Sequence, residues 1–335
     1  MKRFIDLADL EPAAVRDLIA LAQKLEKSPE PRALAGKVLG LLFMDPSLRT
    51  LASFQSGMAR LGGTSFVITP GSGTWKLETR HGAVMNGDRA EHIREGIPVL
   101  ASYADALGIR AFAEGIDLKA DLAETTFKAM AALVDKPLIN MESAMNHPCQ
   151  ALADWKTLDE LAVPTQAKFV LSWVYHPRAL PLAVPAATMT MAAQRCMEVV
   201  VLRPEGYEIP TALRNKAEKL AKASGGSFSE TTDREAALKG AHVLYAKEWG
   251  STKHYGNAVG DADLREHLTN WCVNEPWFAG AQPDCKLMHC LPVRRNVAVA
   301  DEVLDGRRSV VQREAFNRMV VQPAVLHRLL ATPLH

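Results

Sequence analysis

The stretch Pro46-Ser47-Leu48-Arg49-Thr50-Leu51-Ala52 decides how this chain is interpreted. It lies between an apolar strand-like run, residues 37–44, and a helical pattern over about residues 50–61. A strand that turns into a helix through small hydroxylated residues presents backbone N–H groups at the helix N-terminus, where they and the helix dipole suit an anion. Arg49 adds a fork of donors that fits a phosphate group. The alternative is that Ser47 is only a helix cap.

Apolar strands and helical stretches alternate on both sides of this motif. The predicted strands are 37–44, 65–69, 106–112, 137–141, 167–174, 197–202, 242–247 and 286–290. The predicted helices are about 12–27, 50–61, 88–103, 118–134, one that starts at 148, 181–194, 210–223, 261–268 and 313–330. Strands that are apolar throughout are typical of parallel sheets covered on both faces. We therefore expect an α/β fold with two doubly wound parallel-sheet domains. The boundaries are 1–146 and 147–312, and a C-terminal helix within 313–335 packs back on the first domain.

The composition indicates an ordinary globular protein. The chain has 335 residues, 48% of them hydrophobic and 23% charged, with a net charge of +1. No global field favours nucleic acid or an anionic membrane as a partner. The N-terminus lacks an apolar signal segment, and no run approaches the roughly 18 apolar residues that span a bilayer. The 5 cysteines include no CxxC pair, which favours reduced thiols without structural zinc and a cytoplasmic location.

Two common nucleotide-binding motifs are absent from the sequence. No GxGxxG follows a predicted strand, and there is no GxxxxGK[ST]. The glycine-rich segment 71–74 lacks the lysine of a phosphate loop. A nicotinamide or ATP enzyme therefore has little support.

Three more motifs accompany the first one. The four are Ser47-Leu48-Arg49-Thr50, Gly108-Ile109-Arg110, His147-Pro148-Cys149-Gln150 and His289-Cys290-Leu291-Pro292. In this order and spacing they resemble the aspartate/ornithine carbamoyltransferase family over nearly the whole chain. A finer resemblance, to the N-succinylornithine and N-acetylornithine branch, rests on residues 74–79, 140–142, 173–178, 245–249 and 291–296. Trp249-Gly250-Ser251-Thr252 stands where ordinary ornithine enzymes carry a Ser-Met-Gly loop, so a binder for a free α-amino group is missing.

The resemblance implies a carbamoyl transfer from carbamoyl phosphate to the δ-amine of N-succinyl-L-ornithine. The products are N-succinylcitrulline and phosphate, in arginine biosynthesis. This chemistry needs no metal, no cofactor and no covalent nucleophile. It needs orientation, charge neutralisation and donors aimed at the oxygen where charge develops.

The resemblance also implies the roles of individual residues. The residues expected to bind carbamoyl phosphate are Ser47, Leu48 through its N–H, Arg49, Thr50, Trp75, Arg110, His147, Gln150, Cys290, Leu291 and Arg318. Among them Arg110, His147 and Gln150 contact the carbamoyl group. Cys290 and Leu291 orient the attacking amine through their carbonyls, with a cis Leu291–Pro292 bond. Trp75 matches a loop residue that enters a neighbouring subunit's site, which implies a homotrimer with active sites between subunits and between domains.

A second set is expected to bind the acylated ornithine. By resemblance it comprises Glu142, His176, Lys247, Leu291 and Arg294. Ala90 falls at the position that reads the acyl group, where N-acetylornithine enzymes have glutamate and the succinyl type has a small or neutral residue. A glutamate there would repel a distal succinyl carboxylate. His176, Arg178, Arg294 and Arg295 are the cations available to pair with that carboxylate.

Several alternatives stay open at this point. Arg49 and Arg110 could be structural ion-pair residues, as could Glu142. Trp75 could only anchor its loop, Lys247 could cap the sheet edge, His147 could be a capping side chain, and Ala90 could be only a good helix former.

The chain also departs from the family pattern at three positions. Leu51 and Asp45 stand where the family usually has Arg and Asn, and Ala298 stands where N-acetylornithine enzymes carry lysine. The alternative functions are an N-acetylornithine carbamoyltransferase, an ornithine carbamoyltransferase and a catalytically weak metabolite-binding paralogue.

Overall fold

Two parallel five-stranded sheets organise the protein. The computed structural model describes residues 1–331. These residues divide into two compact units. The first unit comprises 1–113, 120–149 and the residues from 318 onward, and the second comprises 114–119 and 150–317.

The first unit contains one five-stranded sheet and one two-stranded sheet. Its strands are β1 (Arg3–Phe4), β2 (Val38–Phe43), β3 (Thr64–Ile68), β4 (Leu77–Glu78), β5 (Glu91–His92), β6 (Ala106–Arg110) and β7 (Leu138–Glu142). The main sheet has the order β1-β7-β6-β2-β3, and β4 pairs with β5. Every pairing is parallel. In this topology Phe43, Arg110 and Glu142 end neighbouring strands at one edge, the position where open α/β sheets bind ligands.

Helices connect these strands and cover the sheet. They are α1 (Pro12–Lys27), α2 (Leu48–Arg60), α3 (Ile93–Ser102), α4 (Leu118–Leu122) and α5 (Thr125–Ala132), with a short 3-10 helix at Leu7–Asp9. The next helix, α6 (Pro148–Glu160), starts in the first unit and belongs to the second from residue 150 onward, and the first two residues of α4 also belong to the second unit. Leu42, Ile97, Leu107 and Leu138 form part of one fully buried apolar cluster between sheet and helices. Burial of such side chains is the main favourable term in folding.

The second unit repeats this design. Its strands are β8 (Lys168–Ser172), β9 (Glu198–Leu202), β10 (Ser227–Thr231), β11 (Val243–Ala246) and β12 (Lys286–Met288), in the order β10-β9-β8-β11-β12. Its helices are α7 (Ala183–Gln194), α8 (Thr211–Ser224), α9 (Arg234–Leu238), α10 (Ala258–Glu266), α11 (Asp301–Leu304) and α12 (Val311–Leu330), with a 3-10 helix at Glu275–Phe278. Every pairing is again parallel. Lys247 and His289 follow the carboxyl ends of two adjacent strands.

The predicted fold class is confirmed by these two sheets and by the C-terminal helix. From Arg318 onward the residues of α12 belong to the first unit. There they pack closely on α2, because a Cβ added to Gly57 would lie 3.5 Å from Cγ of Pro323 and 3.6 Å from Cδ1 of Leu326. The division between functional domains at residues 146 and 147 stays a prediction.

Two helix predictions were wrong in detail, and one strand of the second five-stranded sheet was missed. The helix expected over 88–103 begins only at Ile93, where the His92 side chain caps it by accepting from the Arg94 N–H. Ala90 therefore precedes a short strand and is not helical. The helix expected over 118–134 is interrupted at Glu124, whose φ of 57° is left-handed. Strand β10 was missed because it is a polar edge strand, and only one of its faces needs apolar side chains.

The described helices were also compared with what a membrane span requires. Within residues 1–331, no helix combines the length and the apolar character that crossing a bilayer requires. The cytoplasmic location stays a prediction.

Candidate active site

The N-terminus of α2 has the structure of an anion site. Ser47 is its cap, and its side-chain oxygen accepts from the Thr50 N–H at 3.3 Å. That cap uses the third N–H of the helix, and the N–H groups of the first turn point out of the helix end, where the helix dipole favours an anion. The buried Thr50 hydroxyl also accepts from Nη2 of Arg318 at 2.7 Å. Ser47 is thus a cap, as the alternative held, and the cap orients the turn that carries the other donors.

Arg110 joins the ends of three strands at this edge. Its Nη1 donates to the carbonyl oxygens of Asp45 and Pro46 at 2.9 and 2.7 Å, and its Nη2 donates to Oε2 of Glu142 at 2.8 Å. The guanidinium also lies over the Phe112 ring, 4.2 Å from its centroid. These contacts fix the side chain in one position. The ion pair with Glu142 agrees with the structural alternative for both residues, but it also aims a preorganised cation at the carboxyl edge of the sheet.

Burial and the surrounding arginines govern the protonation of His147. The imidazole is 3% exposed, and its Nε2 lies 3.5 Å from Oε2 of Glu142. Burial, reinforced by the charges of Arg318, Arg110 and Arg49, holds its pKa well below the ordinary value. The ring is therefore neutral at pH 7, with one nitrogen able to donate and the other able to accept.

Positive charge exceeds negative charge at this place. Arg49, Arg110 and Arg318 are close enough to act on one another and on His147, and Glu142 is the carboxylate among them. Burial lowers the pKa of Arg318. Among residues 1–331, no group bonds to Nε of Arg110, Nε of Arg318 or Nδ1 of His147, all of which are buried. Buried donors are normally satisfied, so this cluster matches an anionic ligand that also carries a polar uncharged group.

A loop brace that the sequence analysis missed holds the segment before His147. The buried carboxylate of Glu124 accepts from the Ser143 hydroxyl at 2.8 Å and from the Met145 N–H and the Asn146 amide at 3.0 Å each. It also accepts from the Ala144 N–H at 3.2 Å. No sequence motif signals this role, because Glu124 lies about 20 residues from its partners.

The segment that carries Trp75 and Ala90 has side-chain bonds between its own residues. Trp75 is 61% exposed, and its indole N–H donates to Oε2 of Glu91 at 2.7 Å. Lys76 pairs with Asp88 across the same loop at 2.6 Å. Ala90 is exposed immediately before β5.

The two family departures near α2 have different surroundings. Asp45 accepts from the Phe112 N–H at 2.8 Å, a bond that an asparagine oxygen could make equally well. Leu51 is half-buried in the first turn of α2.

Lys247 and Glu248 form a buried ion pair after β11 in the second unit. Their charged groups are 3.0 Å apart, and Nε2 of His289 lies 3.4 Å from the other oxygen of the same carboxylate. Burial alone would raise the pKa of Glu248, but the attraction of Lys247 and the contact with His289 outweigh it and lower that pKa below its ordinary value. Glu248 was missed at the sequence level, because a carboxylate directly after a lysine has no signature of its own.

The segment after β12 adopts the expected backbone. The Leu291–Pro292 bond is cis, and Leu291 has a φ of 55°. The Leu291 N–H donates to Nδ1 of His289 at 3.0 Å, so Nε2 of His289 carries the ring proton that faces Glu248. The carbonyls of Cys290 and Leu291 thus belong to a tightly bonded turn.

His176 and Arg294 are brought together, whereas Arg295 is engaged elsewhere. Nε of Arg294 donates to Nε2 of His176 at 2.9 Å, which leaves Nδ1 of the imidazole to donate to the Arg178 carbonyl at 2.8 Å. Burial lowers the pKa of His176, in keeping with a neutral ring. Arg295 instead pairs with Asp305 at 2.7 Å and Asp301 at 2.9 Å. Arg295 is thus held by two aspartates, whereas Arg294 lies beside His176.

The loop after Glu248 is pinned to its own unit. Trp249 is 1% exposed, and its indole N–H donates to the Tyr207 carbonyl at 3.0 Å. The Ser251 N–H donates to Asp261 at 2.7 Å, and its hydroxyl donates to the Gly206 carbonyl at 2.6 Å. These bonds hold the loop against residues 206–207 and 261 of the same unit.

The remaining site prediction concerns the two cysteines of the motifs. Cys149 is fully buried, and burial raises the pKa of its thiol to about 12. Such a thiol is not a nucleophile at neutral pH. Cys290 is also buried. In this environment Cys149 is a small packing residue.

Comparison with known proteins places both units in one family. Residues 2–160 match the carbamoyl phosphate-binding domain of the aspartate/ornithine carbamoyltransferases, and residues 184–329 match their Asp/Orn-binding domain. The chain is 35% identical to an N-acetylornithine carbamoyltransferase of Xanthomonas campestris pv. campestris over 334 residues, covering 98% of each chain. It is 34% identical to an N-succinylornithine carbamoyltransferase of Bacteroides thetaiotaomicron over 335 residues, covering 98% of this chain and 99% of that one.

A solved structure gives the same result. An N-acetyl-L-ornithine transcarbamylase mutant, with a glutamate replaced by alanine and complexed with carbamyl phosphate and N-succinyl-L-norvaline, superposes with a TM-score of 0.94 at 35% identity. The match covers 98% of this chain and 100% of that one. The chain belongs to the aspartate/ornithine carbamoyltransferase family. It is a carbamoyltransferase.

Proposed function

We propose that this carbamoyltransferase transfers the carbamoyl group of carbamoyl phosphate to the δ-amine of N-succinyl-L-ornithine, giving N-succinylcitrulline and phosphate. The acceptor is an ornithine derivative and the reaction belongs to arginine biosynthesis, as the family and the names of its relatives indicate. The observation that carries the proposal is the cluster of Arg49, Arg110 and Arg318 around a neutral His147 at the start of α2.

This cluster matches carbamoyl phosphate in charge and in hydrogen bonding. The phosphate is a dianion, and an excess of arginine charge together with a helix N-terminus favours it. Ser47, Arg49, Thr50, Arg318 and the Leu48 N–H are proposed to hold its oxygens. The carbamoyl group is uncharged, and the neutral ring of His147 is proposed to bind it by hydrogen bonding.

The chemical step needs donors at the carbamoyl oxygen. The δ-amine attacks the carbonyl carbon, the C–N bond forms, and the oxygen gains negative charge in a tetrahedral intermediate. Collapse breaks the C–O bond to phosphate, and the proton that the amine loses passes to the departing phosphate. Arg110 and His147 are proposed to donate to the oxyanion, because donors that are fixed before the reaction cost no reorganisation. Gln150 is proposed to contact the carbamoyl amide, and the carbonyls of Cys290 and Leu291 to accept from the amine.

The polar groups of the second unit are proposed to bind the acylated ornithine. Lys247 would pair with a substrate carboxylate, beside Glu248. His176 and Arg294 would contact the acyl end, and Glu142 completes the set. Because Nε of Arg294 is already used by His176, a succinyl carboxylate would bind its two terminal nitrogens. That charge-assisted contact contributes about 1.5–3 kcal/mol.

Three features support a succinyl over an acetyl group. Relatives named for both acyl groups match at 35% and 34% identity, so the residues at the acyl end decide the choice. Ala90 leaves room and adds no negative charge. The solved complex of a relative with N-succinyl-L-norvaline is that of a mutant in which alanine replaces a glutamate. Ala298 is small and 1% exposed, where the acetyl enzymes carry lysine.

A colorimetric assay for ureido products tests the proposal. The purified protein is incubated with carbamoyl phosphate and, separately, with ornithine, N-acetylornithine and N-succinylornithine. We expect turnover to be highest with the succinyl substrate. Preference for N-acetylornithine would mean that the protein is an N-acetylornithine carbamoyltransferase instead. Turnover of ornithine alone would refute recognition of an acyl group. No turnover with any amine would favour a metabolite-binding paralogue.

Replacing Ala90 with glutamate is expected to shift preference from the succinyl towards the acetyl substrate. The new carboxylate repels the distal succinyl carboxylate, and like charges placed together across an interface cost several kcal/mol. We expect kcat/KM for N-succinylornithine to fall by at least about tenfold, which corresponds to roughly 1.4 kcal/mol, with a smaller change for N-acetylornithine. Ala90→Gln is the matched control for size without charge.

Arg294→Ala should also lower kcat/KM for N-succinylornithine more than kcat/KM for N-acetylornithine. Equal losses for both substrates would remove the basis of the succinyl assignment.

We also propose a homotrimer in which Trp75 completes a neighbouring subunit's site. The exposure of Trp75 and Val84, at 61% and 79%, supports an interface at the segment that carries both residues. Sedimentation should give three chains per particle, and Trp75→Ala should raise the KM for carbamoyl phosphate. Mixing Trp75→Ala with Arg49→Ala subunits should restore part of the activity, because some sites then contain neither change. A fully active monomer would contradict the proposal.

A further inference from the structure

Two carboxyl groups lie buried against each other in the second unit. Asp154 is on α6 and Glu314 is on α12, and neither side chain has measurable exposure. Both accept from the same amide, because Nε2 of Gln150 donates to Oδ1 of Asp154 at 2.8 Å and to Oε1 of Glu314 at 3.2 Å. An amide nitrogen has two hydrogens, so this pair uses both.

The pair also fixes which way the amide of Gln150 points. If the amide turned over, its carbonyl oxygen would face two acidic groups. Its Oε1 is buried and has no hydrogen-bond partner among residues 1–331. An unpaired buried acceptor costs about 1–3 kcal/mol. The geometry therefore holds an unsatisfied carbonyl oxygen in a set direction.

Two buried carboxyl groups that accept from the same amide nitrogen cannot both carry a charge without large repulsion. Burial raises the pKa of Asp154 to about 7, and burial together with the charge of Asp154 raises the pKa of Glu314 well above its ordinary value. A hydrogen bond joins the two groups. At neutral pH the pair thus carries a proton, placed on Glu314 and donated to Asp154.

Glu314 has a second contact that joins two motifs. Its Oε2 accepts from the His289 N–H at 2.8 Å. His289 directly precedes Cys290 and Leu291, so one carboxyl group bonds both to Gln150 and to the start of the cis-proline turn. On the far side, the Thr188 hydroxyl lies 3.4 Å from Oδ2 of Asp154.

We propose that Asp154 and Glu314 are positioning residues of the carbamoyl transfer, which aim the carbonyl oxygen of Gln150 and the carbonyls of Cys290 and Leu291 at the reacting groups. This inference rests on the proposed function. Neither residue touches substrate. Carbamoyl phosphate binding depends mainly on the arginines of the first unit, so loss of the pair affects kcat more than binding.

The test compares Glu314→Met with Glu314→Gln. Methionine cannot accept from Gln150 or His289, and kcat is expected to fall about a hundredfold, the size of a lost oriented contact. The KM for carbamoyl phosphate should change less than about threefold, since its phosphate holders are unchanged. Glutamine can still donate to Asp154 and accept from His289, so it should recover most of the lost kcat. Asp154→Leu should lower kcat more than Glu314→Gln does, because leucine has no acceptor for the Gln150 amide, which donates to Asp154 at 2.8 Å.

The control is Lys156→Met, which removes another buried polar contact between the same two helices. Lys156 bonds to Glu160 and to Asn317 and does not touch Gln150. We expect it to lower the melting temperature without lowering kcat. If Glu314→Met behaves like this control, or if Glu314→Gln loses as much kcat as Glu314→Met, the inference is wrong. An inactive wild-type protein would overturn the proposed function and this inference together. If the wild type is active and the variants give either of these two results, only the inference is overturned.

Discussion

Arg110→Met is expected to lower kcat/KM for carbamoyl phosphate about a thousandfold, since removal of one preorganised oxyanion donor costs roughly 10²–10³. The rest of the loss comes from charge. Methionine leaves the carboxylate of Glu142, now 2.8 Å from the guanidinium, without that partner beside an incoming dianion. Steady-state kinetics with each substrate varied in turn measures the effect, and kcat should carry most of it.

Arg203→Met is a matched control for that change. Arg203 also pairs with a buried carboxylate, with its Nε 2.9 Å from Oε1 of Glu230, but it lies outside the candidate site. Arg110→Met loses a buried ion pair and Arg203→Met a partly buried one, and both should lower the melting temperature. Only Arg110→Met should lose activity in the fraction that remains folded. If the two variants lose activity equally, Arg110 is a structural residue, as the ion-pair alternative states.

Lys247→Met is expected to destabilise the protein by about 3–5 kcal/mol, because it leaves the Glu248 charge buried without its cation. For a unit of this size that corresponds to a fall of roughly 10 °C in melting temperature. The same variant should also abolish measurable saturation with the acylated ornithine, since the proposed partner of its carboxylate is gone. Calorimetry and kinetics measure the two effects separately.

The double variant Lys247→Met, Glu248→Gln separates the two roles of the lysine. Glutamine removes the buried charge while keeping an acceptor for His289, which lies 3.4 Å from the carboxylate. Stability should therefore recover and substrate use should not. Recovery of both would mean that Lys247 serves only to neutralise Glu248.

The sequence predicted the parallel sheets because their strands are apolar on both faces. The run Val38–Phe43, for example, can be buried only between layers of helices. Strand β10 could not be found in this way, since Ser227–Thr231 alternates polar residues at a sheet edge. The break at Glu124 was also hidden, because a helical pattern does not record a single left-handed residue.

The site was predictable where its chemistry is carried by a local motif. Ser47 and Arg49 stand in such a motif. Contacts between distant segments were not predictable from spacing. The Gln150–Glu314 bond joins residues separated by 164 positions, and Glu248 acquires its importance only from burial beside Lys247. Motifs name the groups that meet a ligand, whereas the residues that hold those groups are recruited from anywhere in the chain.

The left-handed backbone of Glu124 has a consequence for choosing substitutions in a mutant library. Judged by φ alone, glycine is the better residue, since a non-glycine residue held in this region costs of order 1–3 kcal/mol. The carboxylate, however, accepts four hydrogen bonds from the segment 143–146, and bonds to a charged group are worth about 1.5–3 kcal/mol each. The side chain outweighs the strain. A consensus or stabilising design that replaces Glu124 with glycine would improve the backbone there and release the segment that sets His147 in place.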